Sequence, residues 1–108
     1  MSDESTVRAY VVNQVEVRDP VAYAEYAQAG RLAVVQHGGR ILAGGGRVET
    51  LEGEPIPSRV VIIEFPNREA AIGYYESSEY QAAKALRGSA ATVRLAIVDG
   101  IADPSRSV

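Results

Sequence analysis

Between Val7 and Val17 the chain alternates. Val7, Ala9, Val11, Val15 and Val17 share one face, and Arg8, Tyr10, Val12, Gln14 and Glu16 share the other. A period of two over that length predicts a strand. Its second face is mixed, neither plain core nor plain solvent. Asp19-Pro20 then supplies a cap followed by proline at the first helical position, a strong start signal. The helix predicted over 20–36 carries Tyr23, Tyr26, Ala27, Gly30, Val34 and His37 along one stripe, and Gly38-Gly39 stops it. A second strand is expected over 40–50, interrupted by Gly44-Gly45-Gly46, with a polar connection over 51–57. Val60-Val61-Ile62-Ile63 is a run of β-branched residues, which predicts a strand over 58–65 covered on both sides. Pro66 ends it. Asn67 can cap a helix over 67–76, Ser77 a further one over 78–87, and Gly88 closes that helix. A last strand is expected over 92–99.

The order βαββαβ predicts a split βαβ, ferredoxin-like plait of the α+β class. Its four-stranded antiparallel sheet has the first and third strands in the centre and the helices on one face. The other face is left bare, and Val12, Ala96 and Val98 make it partly apolar. A second copy of the chain is the simplest cover, so a homodimer through the sheet face is expected. Residues 7–101 form the expected domain, with a disordered start over 1–6 and a flexible tail over 102–108.

Composition narrows the function more than it defines it. The 108 residues carry a net charge of −3 with no run of Lys or Arg, which argues against a nucleic-acid partner. Cysteine is absent and there is one histidine, so thiolate chemistry is excluded and a metal site is not expected. The three consecutive glycines lie beside a strand that leads to a hairpin, whereas a phosphate loop needs a helix after its glycines. No cofactor (metal, haem or nucleotide) is therefore expected. The acidic, polar start does not resemble a signal peptide, and no apolar run approaches the length of a membrane span. A cytoplasmic protein is the resulting expectation.

An ordered set of short motifs resembles a known family. It includes Tyr10, Asp19-Pro20-x-x-Tyr23-x-x-Tyr26, Gly38-Gly39-Arg40 and Gly45-Gly46. Leu51-Glu52-Gly53, Glu64-Phe65-Pro66, Ala70-Ala71, Tyr74-Tyr75, Ser77-x-Glu79-Tyr80 and Leu86-Arg87 follow. Together they are similar to the domain of unknown function 1330, within the dimeric α/β-barrel superfamily. Ser78, where proline is common, and His37 depart from the pattern. The resemblance implies a plait that dimerises sheet to sheet, with no assigned reaction. Relatives in the superfamily include cofactor-free monooxygenases, muconolactone-isomerase-like enzymes, haem proteins and binding modules.

Six tyrosines stand against one phenylalanine and no tryptophan. Buried tyrosines seek partners for their hydroxyls, so such a core suggests a small-molecule pocket with polar handles. Tyr10, Tyr26 and Tyr74 are the candidates to orient a ligand, and Arg40 and Arg59 the candidates to hold an anion. His37 carries the one imidazole, a side chain type suited to acid/base work near neutral pH, and Glu64 ends an apolar strand; these two are the candidate acid/base groups. Eleven residues separate Tyr26 from His37, which leaves them within about 20° on a helix. One cavity lined by Tyr26, His37 and Tyr74 is therefore expected. Its floor would be Tyr10 if strand one turns its mixed face to the helices, and Glu64 otherwise. Proton transfer or cofactor-free oxidation of a small carbonyl or aromatic compound is the chemistry such a site could perform. A non-catalytic dimeric binding or stress-related module is the alternative.

Overall fold

A computed structural model describes residues 7–57 and 59–102. The expectations for 1–6, for Ser58 and for most of the C-terminal tail lie outside the described residues. The elements follow the predicted order: β1 (Ala9–Val17), α1 (Pro20–Gln36), β2 (Arg40–Gly44), β3 (Arg59–Phe65), α2 (Arg68–Glu76), α3 (Ser78–Arg87) and β4 (Ala91–Asp99). The strands form one antiparallel sheet in the order β2-β3-β1-β4. This is the ferredoxin-like α+β plait.

Capping explains the helix limits. Asp19 Oδ1 accepts from the Val21 and Ala22 amides, Asn67 Oδ1 from Ala70, and Ser77 Oγ from Tyr80. Each side chain satisfies N–H groups that a helix start leaves free. Between α1 and β2 the chain passes so close to the core that a side chain at Gly39 would not fit. A methyl there would lie 2.6 Å from Phe65 Cε1 and 2.8 Å from Val34 Cγ1.

Two expectations change. β2 ends at Gly44 rather than near residue 50, because Gly45 takes a φ of +92° and leaves the extended path. Within the chain itself, β3 is covered by helices on one side only. Val61, Ile63 and Phe65 turn toward the helices, while Val60, Ile62 and Glu64 turn to the open face.

The parity of β1 is set by its buried positions. Ala9, Val11, Asn13 and Val15 are buried beneath the helices. Tyr10, Val12 and Gln14 therefore occupy the open face, beside their register partners Glu64, Ile62 and Val60 on β3. On the other side they meet Val98, Ala96 and Arg94 of β4. The core lies between the sheet and the helices. It is rich in tyrosine: Tyr23, Tyr26, Tyr74 and Tyr80 are all buried there with Phe65.

Candidate functional site

The residues singled out from the sequence fall in three places. Tyr26, Arg59 and Tyr74 line one cavity of about 110 Å³ between α1 and the sheet. Tyr10, Arg40 and Glu64 cluster on the open sheet face. Glu64 Oε1 accepts from Arg40 Nη2 at 3.0 Å, and Oε2 accepts from Tyr10 Oη at 3.3 Å, with Arg8 Nε at 3.8 Å. Glu64 and Tyr10 share that face because they are register partners, and cross-strand partners point the same way. Neither forms the floor of the cavity, which belongs to the opposite side of the sheet. His37 sits at the end of α1, where Nε2 is 3.3 Å from Glu79 Oε1 at the start of α3. That hydrogen bond holds the Glu79 carboxyl below its usual pKa range. His37 is not among the cavity-lining residues.

α1 supplies one wall of the cavity through Tyr23, Tyr26 and Gly30, which share a face at helical spacing. Gly30 is the reason there is space. A Cβ at that position would meet nothing within 4 Å, and a glycine inside a helix costs about 1 kcal/mol relative to alanine. The helix interior thus forgoes stability where a side chain would enter the void. Ile41, Val61 and Ile63 of the sheet supply the apolar side.

The polar groups converge from different elements. Arg59, at the start of β3, donates from Nε to Tyr23 Oη at 3.2 Å and lies over the Tyr23 ring. Its guanidinium lies against Gly45, where a Cβ would come within 2.7 Å of Nη1. The Tyr26 and Tyr80 hydroxyls are 3.0 Å apart in the interior. The Tyr74 hydroxyl has no hydrogen-bond partner among the described residues. Burial pushes the pKa values of Tyr26 and Tyr74 well above the ordinary phenol value. Both therefore remain protonated donors at neutral pH.

Asn13 is the residue that the sequence reading passed over. It lies on the buried face of central strand β1, is 5% exposed, and lines the cavity. Its Oδ1 is buried without a hydrogen-bond partner. A detectable signal was present: Asn13 is the one polar residue in the alternating series Ala9, Val11, Asn13, Val15. Buried amides are ordinarily paired, and an unpaired one calls for an explanation. Tyr80, also passed over, is the link between Tyr26 and Arg87. Arg87 Nη1 donates to its hydroxyl at 3.4 Å.

Comparison with known proteins follows the same lines. A protein of unknown function from Rhodopseudomonas palustris is 22% identical, with a TM-score of 0.71 over 89% of this chain and 84% of that one. SnoaB, a cofactor-independent oxygenase from Streptomyces nogalater, is 13% identical, with a TM-score of 0.63 over 85% of this chain and 91% of that one. A dimeric protein of unknown function and ferredoxin-like fold from Bacteroides fragilis is 16% identical, with a TM-score of 0.56 over 85% and 93%. At these identities the likeness is one of fold. No curated protein matches the chain. Domain of unknown function (DUF1330) is the family whose model matches, over residues 8–101, and the chain belongs to that family.

Proposed function

We propose that the chain binds a small oxyanion or carbonyl compound in the cavity between α1 and the sheet. The Asn13 amide carries the reading: its buried Oδ1 has no donor, at a cost of about 1–3 kcal/mol, and with the amide turned over its NH2 takes that place and donates to an oxyanion or carbonyl oxygen. Arg59 supplies positive charge, and the Tyr23 and Tyr74 hydroxyls supply donors. Turning about its Cβ–Cγ bond, Asn13 can offer the ligand either end of its amide. About 110 Å³ suits a molecule of a few heavy atoms. Binding and orientation are better supported than acid/base chemistry, because no histidine or carboxylate is among the lining residues. Shared fold with a cofactor-independent oxygenase keeps a second reading, in which Arg59 and the tyrosines stabilise the enolate of a ligand acidic enough to give its proton to water.

Pyruvate, which carries both a carboxylate and a carbonyl, is a suitable probe, with propanol as the uncharged control. Calorimetry should show saturable binding of pyruvate and none of propanol. Arg59→Gln should weaken pyruvate binding about tenfold or more, as expected for the loss of a charge-assisted hydrogen bond. Gly30→Leu should abolish it while circular dichroism stays native. Pyruvate binding that survives Gly30→Leu in a folded protein would remove the cavity from the account.

A second copy of the chain as the cover of the open sheet face belongs to the same reading. Val12, Ile62 and Ala96 form an apolar centre there, and the molecule measures only 16 Å through its thinnest dimension. Two layers leave that centre in water, which favours association. The dimeric relative in fold from Bacteroides fragilis supports the arrangement. Light scattering should give twice the 11.5 kDa chain mass, and Ile62→Glu should give a folded monomer. A wild-type monomer at micromolar concentration would refute the dimer.

A further inference from the structure

On the other side of the Tyr26–Tyr80 hydroxyl pair lies a larger groove of about 550 Å³, between α2, α3 and β4. Its floor is Val93, Leu95 and Ile97, the helix-facing residues of edge strand β4. Tyr75 and Tyr80 form an aromatic wall, with ring centroids 5.3 Å apart. Three cations reach the groove: Arg68, Lys84 and Arg87.

How those cations are satisfied decides what the groove is for. Arg68 is paired with Asp99, Nη1 to Oδ1 at 2.9 Å. Among the described residues, Lys84 and Arg87 are paired with no carboxylate. Each donates instead to a neutral phenol: Lys84 Nζ to Tyr75 Oη at 3.2 Å, and Arg87 Nη1 to Tyr80 Oη at 3.4 Å. Each also lies over an aromatic face, Lys84 over Tyr75 and Arg87 over Tyr26. Basic residues in the last turn of a helix ordinarily complement its dipole and extend into solvent. Here Lys84 and Arg87, three residues apart on one face of α3, are half-buried and line a groove whose walls are polar and whose floor is apolar. A net positive, partly desolvated head above an apolar floor is the complement of an amphiphilic anion.

We infer that this groove is a second binding site, for a carboxylate carried on an apolar chain or ring. The head lies between Lys84 and Arg87, and the tail runs along Val93, Leu95 and Ile97. Those positions span roughly 13 Å of strand, the reach of a medium-chain acid. The groove also falls within the usual size of small-molecule sites, about 300–1,000 Å³. This site does not depend on the Asn13 cavity, which is too small for such a tail.

The test uses the whole wild-type chain and three probes: octanoate, octanol with the same tail and no charge, and acetate with the charge and no tail. Octanoate should bind saturably, with octanol and acetate each weaker by about tenfold or more. Lys84→Gln and Arg87→Gln should each weaken octanoate about tenfold or more, and Lys84→Arg should restore part of the loss. Lys84→Gln changes only a groove-edge tip, so it stays informative even if Arg87→Gln disturbs the Tyr26–Tyr80 pair. Gly30→Leu, which fills the cavity from α1 and touches no residue of the groove lining, should leave octanoate affinity within about twofold, which separates this site from the cavity. Absence of saturable octanoate binding, or equal binding by folded Lys84→Gln, would overturn the proposal. Loss of octanoate binding in folded Gly30→Leu would overturn it too, by assigning the anion to the cavity.

Discussion

Above pH 10 this protein should unfold in a steep, tyrosine-coupled transition. Tyr26, Tyr74 and Tyr80 are 4%, 3% and 1% exposed. Burial is the main cause that raises the pKa of all three, and the neighbouring phenols add to it for Tyr26 and Tyr74. Arg87 and the hydrogen bond to Tyr26 work against burial at Tyr80 without reversing it. In the unfolded chain a tyrosine ionises near pH 10. Above that pH the folded state therefore holds more protons than the unfolded state, and stability falls as pH rises. The contribution is fully present below pH 10 and is lost toward the higher folded values. Each tyrosine adds a limiting slope of about 1.4 kcal/mol per pH unit, so three give about 4. Typical stabilities are about 5–15 kcal/mol; at that slope roughly one pH unit offsets the low end, and roughly three units offset about 12 kcal/mol. Phenolate absorbance from at least three of the six tyrosines should appear together with the loss of helical circular dichroism. Tyr74→Phe should move the midpoint to higher pH with little effect at neutral pH, because no partner loses a hydrogen bond. Smooth ionisation of all six tyrosines with the helices intact would contradict the burial argument.

Much of the fold was legible because its boundaries are written in local chemistry. Asp19-Pro20, Asn67, Ser77 and Gly88 act as punctuation that depends on a few neighbouring residues, and the helices begin and end as they predict. Strand β2 was harder to bound, since Gly44-Gly45-Gly46 is compatible with a strand, a bulge or a turn. Only the positive φ of Gly45 and its contact with Arg59 decide the matter. The side of the sheet on which Tyr10 and Glu64 lie depends on which face of β1 meets the helices. Both faces contain valines, so pattern alone left that open. His37 shows a different gap. Its angle on α1 does match Tyr26, but eleven residues also rise about 16 Å along a helix. A stripe specifies direction and not height, and His37 lies toward the end of α1, beside Glu79. Asn13 was legible in principle, as a polar interruption of an apolar series.

Replacing Asn13 by leucine should make the protein more stable and deprive the cavity of its ligand. Leucine has nearly the same shape as asparagine and no polar atoms. It would remove a buried acceptor that now lacks a donor, at a position between Val61 and Leu95 in the sheet. Removing one unpaired polar group and adding apolar contact should gain about 1–3 kcal/mol. For a chain of this size that is roughly 4–8 °C in Tm per kcal/mol. Pyruvate binding should disappear in the same variant. Selection for stability alone would favour an apolar residue at this position of a central strand. A gain in Tm with a loss of binding is thus the signature of a site that sacrifices stability for recognition. Asn13→Ala should lie between the two, because it removes the acceptor but enlarges the void, and voids carry their own cost. A loss of more than about 1 kcal/mol in Asn13→Leu would mean that the amide supports the fold through a paired partner. The cavity would then be a packing feature, and the oxyanion reading would fall with it.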